Sequence, residues 1–225
     1  MPSNKPQRKT VFLQALIMLF GLYLTSCGVA FSIKAEIGAT PLSCCPAVYS
    51  PHRGISVGTG MWGLNMVCLL LEALILRREF TLRHFLQLAM ALIQGWMTDL
   101  AIFQFRLIEA VVLWQRIVCC GFGILGVASG VFLMVRANLL VIPADGLVTA
   151  ITAHSRFPFG KVKVCFDCTL VSIATIGSLI LNQGKLLQVG FGTLAAALLV
   201  GTTVNQIRKI RWLGRALDHL LGTMA

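Results

Sequence analysis

Gly28-Val29-Ala30-Phe31-Ser32-Ile33-Lys34-Ala35-Glu36-Ile37-Gly38-Ala39-Thr40-Pro41 ends a long apolar run on a cation and then reaches a proline. The chain does this again 102 positions later, where Gly130-Val131, Arg136, Ala137 and Pro143 stand opposite Gly28-Val29, Lys34, Ala35 and Pro41. The correspondence extends on both sides without a gap: Phe20-Gly21 with Phe122-Gly123, Gly58 with Gly160, and Asn65 with Asp167. These matches fall on Gly, Pro and charge, which chance supplies sparingly in an apolar chain. If each copy crosses a membrane three times, the second faces the opposite way from the first. That is the layout of many small transporters.

The composition supports a membrane reading. Of 225 residues, 57% are hydrophobic and 12% charged, where a soluble domain carries about 25% charged residues. Mean hydropathy is +0.83. The net charge of +11 is no nucleic-acid signature, because the basic residues sit between apolar runs rather than on one polar face. Most of the eight cysteines lie inside apolar runs and read as small hydrophobes rather than a disulfide framework.

Six apolar runs, Val11–Ile33, Gly58–Leu76, Phe85–Phe103, Val111–Val135, Val164–Leu181 and Leu186–Val204, approach the ~20 residues that cross a bilayer as helix. Helix is the natural choice because lipid offers backbone groups no partner. The fold class is therefore all-α: a polytopic membrane protein of six transmembrane helices in two inverted three-helix repeats. The boundaries are a cytoplasmic N-terminus (1–10), repeat 1 (11–106), repeat 2 (107–206) and a tail (207–225). Placing the N-terminus in the cytoplasm gathers Lys5, Arg8, Lys9, Arg77, Arg78, Arg83, Arg136, Arg156, Lys161, Lys163 and the basic tail on that side. Lys34, Arg53, Arg106, Arg116 and Lys185 stay outside, so N-in, C-in is preferred. Leu24-Thr25-Ser26-Cys27 resembles a lipoprotein cleavage box, but the apolar run continues through Ile33 where a lipoprotein would show a polar tether.

Two matched connections, 35–57 and 137–159, are far longer than the ~4–6 residues usual for loops. Each has Pro near its start, a favoured first helical residue, and a short polar or acidic side chain two positions on, Ser43 and Asp145. The spacing predicts short helices over Pro41–Tyr49 and Pro143–His154. Both are open to two placements, re-entrant into the bundle, which survives only when covered by protein or lining water, or flat in the headgroups. Leu139–Ile151 has a third, as a true span, which would make seven crossings and break the charge bias.

Ionisable residues at membrane depth are functional candidates. Asp167 sits a few residues into the fifth span, and Asn65 holds the same place in the second. Pro41, Ser43, Asn65, Pro143, Asp145 and Asp167 form the expected solute path, with Asp167 as the candidate for proton exchange. Asp99 and Asn205 form another matched pair at span ends. Glu72 is expected to pair with Arg77 and Arg78 near the interface. Lys34 and Arg136 end the first span of each copy. They either snorkel to headgroups or join the positive ends of the short helices in an anion-attracting mouth.

Cys165-Phe166-Asp167-Cys168 has metal-ligand spacing but no second pair and no convergent His. No nucleophile elbow, Walker loop or HExxH motif occurs, so the sequence points to no enzyme, no cofactor and no metal. After Gln206, apolar residues recur at helical spacing among Arg208, Lys209, Arg211 and Arg215, as in an interfacial amphipathic helix on anionic lipid.

The 28–41 stretch resembles the first-loop signature of the YczE/YyaS/YitT-type bacterial integral membrane proteins. So do Pro143-Ala144-Asp145-Gly146, and Gly190-Phe191-Gly192-Thr193-Leu194 followed by Leu199-Val200-Gly201. The resemblance covers nearly the whole chain outside the tail. It implies a multi-pass protein of the bacterial cytoplasmic membrane and brings no established activity or catalytic residues. Asn138-Leu139-Leu140 departs from the first copy's Glu36-Ile37-Gly38.

The sequence thus points to a small-solute transporter with its site at the interface of the repeats. The competing readings are a substrate-binding subunit docked on an energising partner, through Gly121, Gly123, Gly126 and Gly130, and a non-transporting regulator or scaffold. The partners expected are the lipid bilayer, an unidentified small solute, and either further copies or an energising protein; nucleic acid is not among them.

Overall fold

The structure, a computed structural model, describes residues 8–209. Among these, eight α-helices and one short 3-10 turn form an all-helical bundle: α1 (Arg8–Lys34), α2 (Pro41–His52), α3 (Val57–Leu76), the turn Arg77–Glu79, α4 (Leu82–Gln104), α5 (Leu113–Ala137), α6 (Pro143–His154), α7 (Phe159–Leu181) and α8 (Phe191–Lys209). Five of these helices are long and apolar enough to cross a membrane; the apolar part of α8, Phe191–Val204, is shorter. Large side chains such as Phe20, Leu74, Trp96, Phe122 and Ile180 are exposed along these helices. Such apolar surface is stable against lipid and not against water. The chain is an integral membrane protein with several membrane-embedded helices.

α1 and α5 make the central crossing. Gly28 lies against Val127 and Gly123, and Gly21 against Gly130. Low numbers on one helix therefore meet high numbers on the other, and the pair runs antiparallel. A methyl group on Gly28 would fall 2.5 Å from the Val127 backbone nitrogen, so backbone approach here requires glycine. α4 flanks α1, and α8 flanks α5.

The two short helices begin where the prolines indicate. α6 starts and ends 102 positions after α2, and both carry Pro at the first turn. α2 runs to His52, past the expected end at Tyr49, and contains Pro46 and Pro51. Burial of Val48 and Ser50 outweighs the local penalty of Pro51. Each helix buries one face in the bundle. Pro41, Ser43, Cys44, Cys45 and Val48 are buried in α2, as are Pro143, Ala144, Gly146, Leu147 and Val148 in α6. α2 packs on α7, and α6 packs on α3, so each short helix crosses to the other half of the chain. Leu42, at the start of α2, joins the cluster formed by Ala144, Leu147 and Cys68, so the two short helices begin close together.

The amphipathic tail predicted over 207–225 lies almost entirely outside the described residues.

Candidate functional site

α3 and α4 form a hairpin about the Arg77–Glu79 turn, so that residues on the two helices face each other. Glu72 and Gln87 are such a pair: Gln87 Nε2 donates to Glu72 Oε1 at 3.3 Å. His84 points its Nε2 at the same oxygen, 3.8 Å away. The ring's other nitrogen, Nδ1, accepts the Thr81 backbone N–H at 3.0 Å. The proton of the neutral ring therefore sits on Nε2, and His84 faces Glu72 as a donor. Phe80 stacks on the imidazole with centroids 5.0 Å apart and holds it there.

The pairing is one-sided. Glu72 Oε2 and Gln87 Oε1 have no hydrogen-bond partner among the described residues, although Glu72 is only 2% exposed and Gln87 7%. Turning the Gln87 amide over would set its oxygen against the carboxylate, so its orientation is fixed by its partner. Both unpartnered oxygens face Gly146 on α6, where a methyl group would come within 2.8 Å of each.

Between the hairpin and α6 lies a cavity of about 460 Å³, within the ~300–1,000 Å³ range of small-molecule sites. Glu72, His84 and Gln87 form its polar wall. Gly146, Thr149, Ala150 and Ala153 form the facing wall, and Leu76, Thr81, Leu140 and Val141 complete it. One wall belongs to the first half of the chain and the other to the second.

Positions 102 residues from this chamber hold very different residues. Glu72, Gln87 and His84 correspond to Ala174, Val189 and Leu186, and Gly146 corresponds to Cys44. Ala174 and Cys44 are fully buried in a compact apolar cluster with Ala39, Val48 and Leu170, against which Val189 packs. Positions joined by the 102-residue offset line a cavity with polar groups in one half and form a closed apolar cluster in the other. The chamber is thus a local property of these residues rather than a by-product of the helix arrangement.

Four of the residues expected on the solute path gather at the start of α6. Asn65 Oδ1 accepts the Ala144 backbone N–H at 3.3 Å, next to Pro143, and its Nδ2 donates to Met61 O at 3.0 Å. Asn65 thereby satisfies one of the free donors of the first turn. Asp145 and Asp167 both bind Lys163, at 2.9 and 3.3 Å. Asn65 and Asp167 hold matching positions yet do different things, one capping a helix and the other holding a lysine. Pro41 and Ser43 open α2, where the Ser43 and Thr40 hydroxyls lie 2.7 Å apart.

Of the two end-of-span cations, Lys34 donates to Arg106 O at 3.2 Å, and the Arg136 guanidinium lies 5.8 Å from the Phe132 ring centre. Glu36 pairs with Arg116 at 2.9 Å. Asp99 caps α3, accepting from Gly58 N at 2.7 Å and from the Ser56 hydroxyl at 2.6 Å. The side chain of Asn205, its expected counterpart, lies outside the described residues.

Glu72 departs from its expected ion pair with Arg77 and Arg78. Helical neighbours are three or four residues apart, and Arg77 is five away, so Glu72 turns instead to α4. His84, Gln87 and Gly146 were not among the expected site residues. The usable signal was the hairpin: a turn near Glu79 sets Glu72 opposite Gln87.

No curated protein and no solved structure matches the chain. A family model matches residues 12–209, spanning nearly all the described helices. The chain belongs to DUF6198, a family of unknown function.

Proposed function

We propose that the protein carries a small solute across the cytoplasmic membrane, with the solute site in the Glu72 chamber between two inverted halves. The observation that carries this reading is a buried carboxylate facing a cavity whose opposite wall comes from the other half of the chain. Ionisable groups placed this way at membrane depth mark solute or proton pathways. The antiparallel crossing of α1 and α5 supports inversion, as does the exchange by which α2 packs on α7 and α6 on α3. In this reading α8 is the sixth crossing, α2 and α6 are re-entrant, and both termini are cytoplasmic. The resemblance to YczE/YyaS/YitT-type proteins favours a bacterial membrane.

The Lys and Arg bias then puts Arg77, Arg78 and the mouth of the chamber on the cytoplasmic side. The closed cluster around Cys44 and Ala174 lies toward the other face. One open and one closed half is the arrangement alternating access calls for in any single state.

A single cysteine at Thr149, in a chain whose exposed Cys165 and Cys168 are replaced, tests this. Thr149 lines the chamber and is exposed. With a membrane-impermeant thiol reagent, a transporter should label from both faces, because the chamber opens to each in turn. Labelling from one face only would leave a static binding protein, such as a substrate-capture subunit.

A further inference from the structure

We infer that the chamber takes a small organic cation, a protonated primary amine carrying a short apolar body. This rests on the chamber being a solute site and goes on to name the chemistry of its ligand. Glu72 Oε2 and Gln87 Oε1 are acceptors, both more than nine-tenths buried and both without a donor among the described residues. They converge on the bare backbone of Gly146, where a methyl group would come within 2.8 Å of each, at the edge of the cavity that Glu72, Gln87 and Gly146 line. A buried acceptor left unmet is costly.

An alkylammonium group answers both oxygens at once, since it has three N–H donors and no acceptor. It also neutralises the carboxylate. A carboxylate or phosphate ligand would bring like charge against Glu72. An alcohol has a single donor and leaves one oxygen unmet. A quaternary ammonium has no N–H at all and is usually held by an aromatic cage, and no Phe, Tyr or Trp among the described residues lines this cavity. The remaining wall is largely apolar, with Leu76, Leu140, Val141 and Ala150 offered to the body of the ligand. Lys163, a cation on neighbouring α7, is held by Asp145 and Asp167 at 2.9 and 3.3 Å.

The rival source of the missing donor is Glu72 itself, as a neutral carboxyl whose own O–H serves Gln87. The test compares n-butylamine, 1-butanol, butyrate and tetramethylammonium as ligands of the full-length protein in detergent near neutral pH, by thermal unfolding and by titration calorimetry. Butylammonium alone should raise the unfolding temperature in a saturable way. Glu72→Gln, with an unchanged size-exclusion profile, should weaken its binding roughly thirtyfold or more, as expected when one partner of a buried charge pair is removed. Should Glu72→Gln fail to fold, Ala153→Leu on the facing wall serves instead. It should shift preference from longer to shorter amines.

Equal stabilisation by butanol and butylamine would overturn the inference, as would unaltered butylammonium binding by Glu72→Gln or an unaltered chain-length preference in Ala153→Leu. The two readings fail separately. Butylammonium binding together with one-sided labelling of the Thr149 cysteine would keep the ligand class and remove transport. Two-sided labelling without amine binding would keep transport and remove the ligand class.

Discussion

Glu72 on α3 and Gly146 on α6 meet across the two halves of the chain: a methyl group on Gly146 would lie 2.8 Å from Glu72 Oε2. The backbone of one half is thus the floor beneath the carboxylate of the other. Glycine is required at this point because a side chain has no space there, whereas Cys44, 102 positions earlier, sits in a closed apolar cluster.

Gly146→Ala should force Glu72 and Gln87 aside. Overpacking of this kind costs about 1–3 kcal/mol. A lower unfolding temperature in detergent, with binding at the chamber lost, is the expected result. A variant as stable as the parent would mean that the chamber is looser than its geometry indicates.

Gly28→Leu strikes the α1–α5 crossing, where Val127 and Gly123 leave no space for a side chain. Loss of monodisperse protein on size exclusion is expected. Gly63→Leu, at a position with open space around it, should leave the profile unchanged and serves as the control.

Asn65→Ala strands the buried Ala144 N–H at the start of α6. Leaving a buried donor unmet costs about 1–3 kcal/mol. Hydrogen exchange should quicken in the first turn of α6 and stay unchanged in α2. Asn65→Asp keeps the acceptor oxygen and should retain the protection.

Lys163→Met leaves Asp145 and Asp167 without the cation that joins them. The unfolding temperature should fall, and adding Asp167→Asn should recover part of the loss by removing one of the two negative charges. Because the three side chains are partly exposed, raising the salt concentration should narrow the difference. A double variant no better than Lys163→Met would show that the lysine acts through packing.

Much of this fold is legible in the chain. Long apolar runs leave little choice but membrane helices, and Pro41 and Pro143 mark the two short helices because proline suits a first helical turn. The gathering of Asn65, Pro143, Asp145 and Asp167 at one helix start was also approachable, since each stands out against an apolar background. The chamber was not. Gln87 and Gly146 are ordinary residues taken singly, and they acquire meaning only when the hairpin and α6 bring them to Glu72. Sequence proximity ties Glu72 to Arg77 and Arg78, whereas helix geometry turns it toward α4. Asn65 and Asp167, matched in the sequence at the 102-residue offset, differ in charge and take different partners.

The inverted arrangement proposed for the two halves is tested most directly by labelling single cysteines at Arg78, Thr149, Arg53 and Lys185 with an impermeant thiol reagent in oriented vesicles. Arg53, Arg78 and Lys185 are exposed. The expected result is that the cysteines at 78 and 149 react from the cytoplasmic face, 149 also reacting from outside as the chamber alternates, while those at 53 and 185 react only from outside. Reaction of the 78 and 53 positions from the same face, or of 149 from the outer face alone, would contradict it.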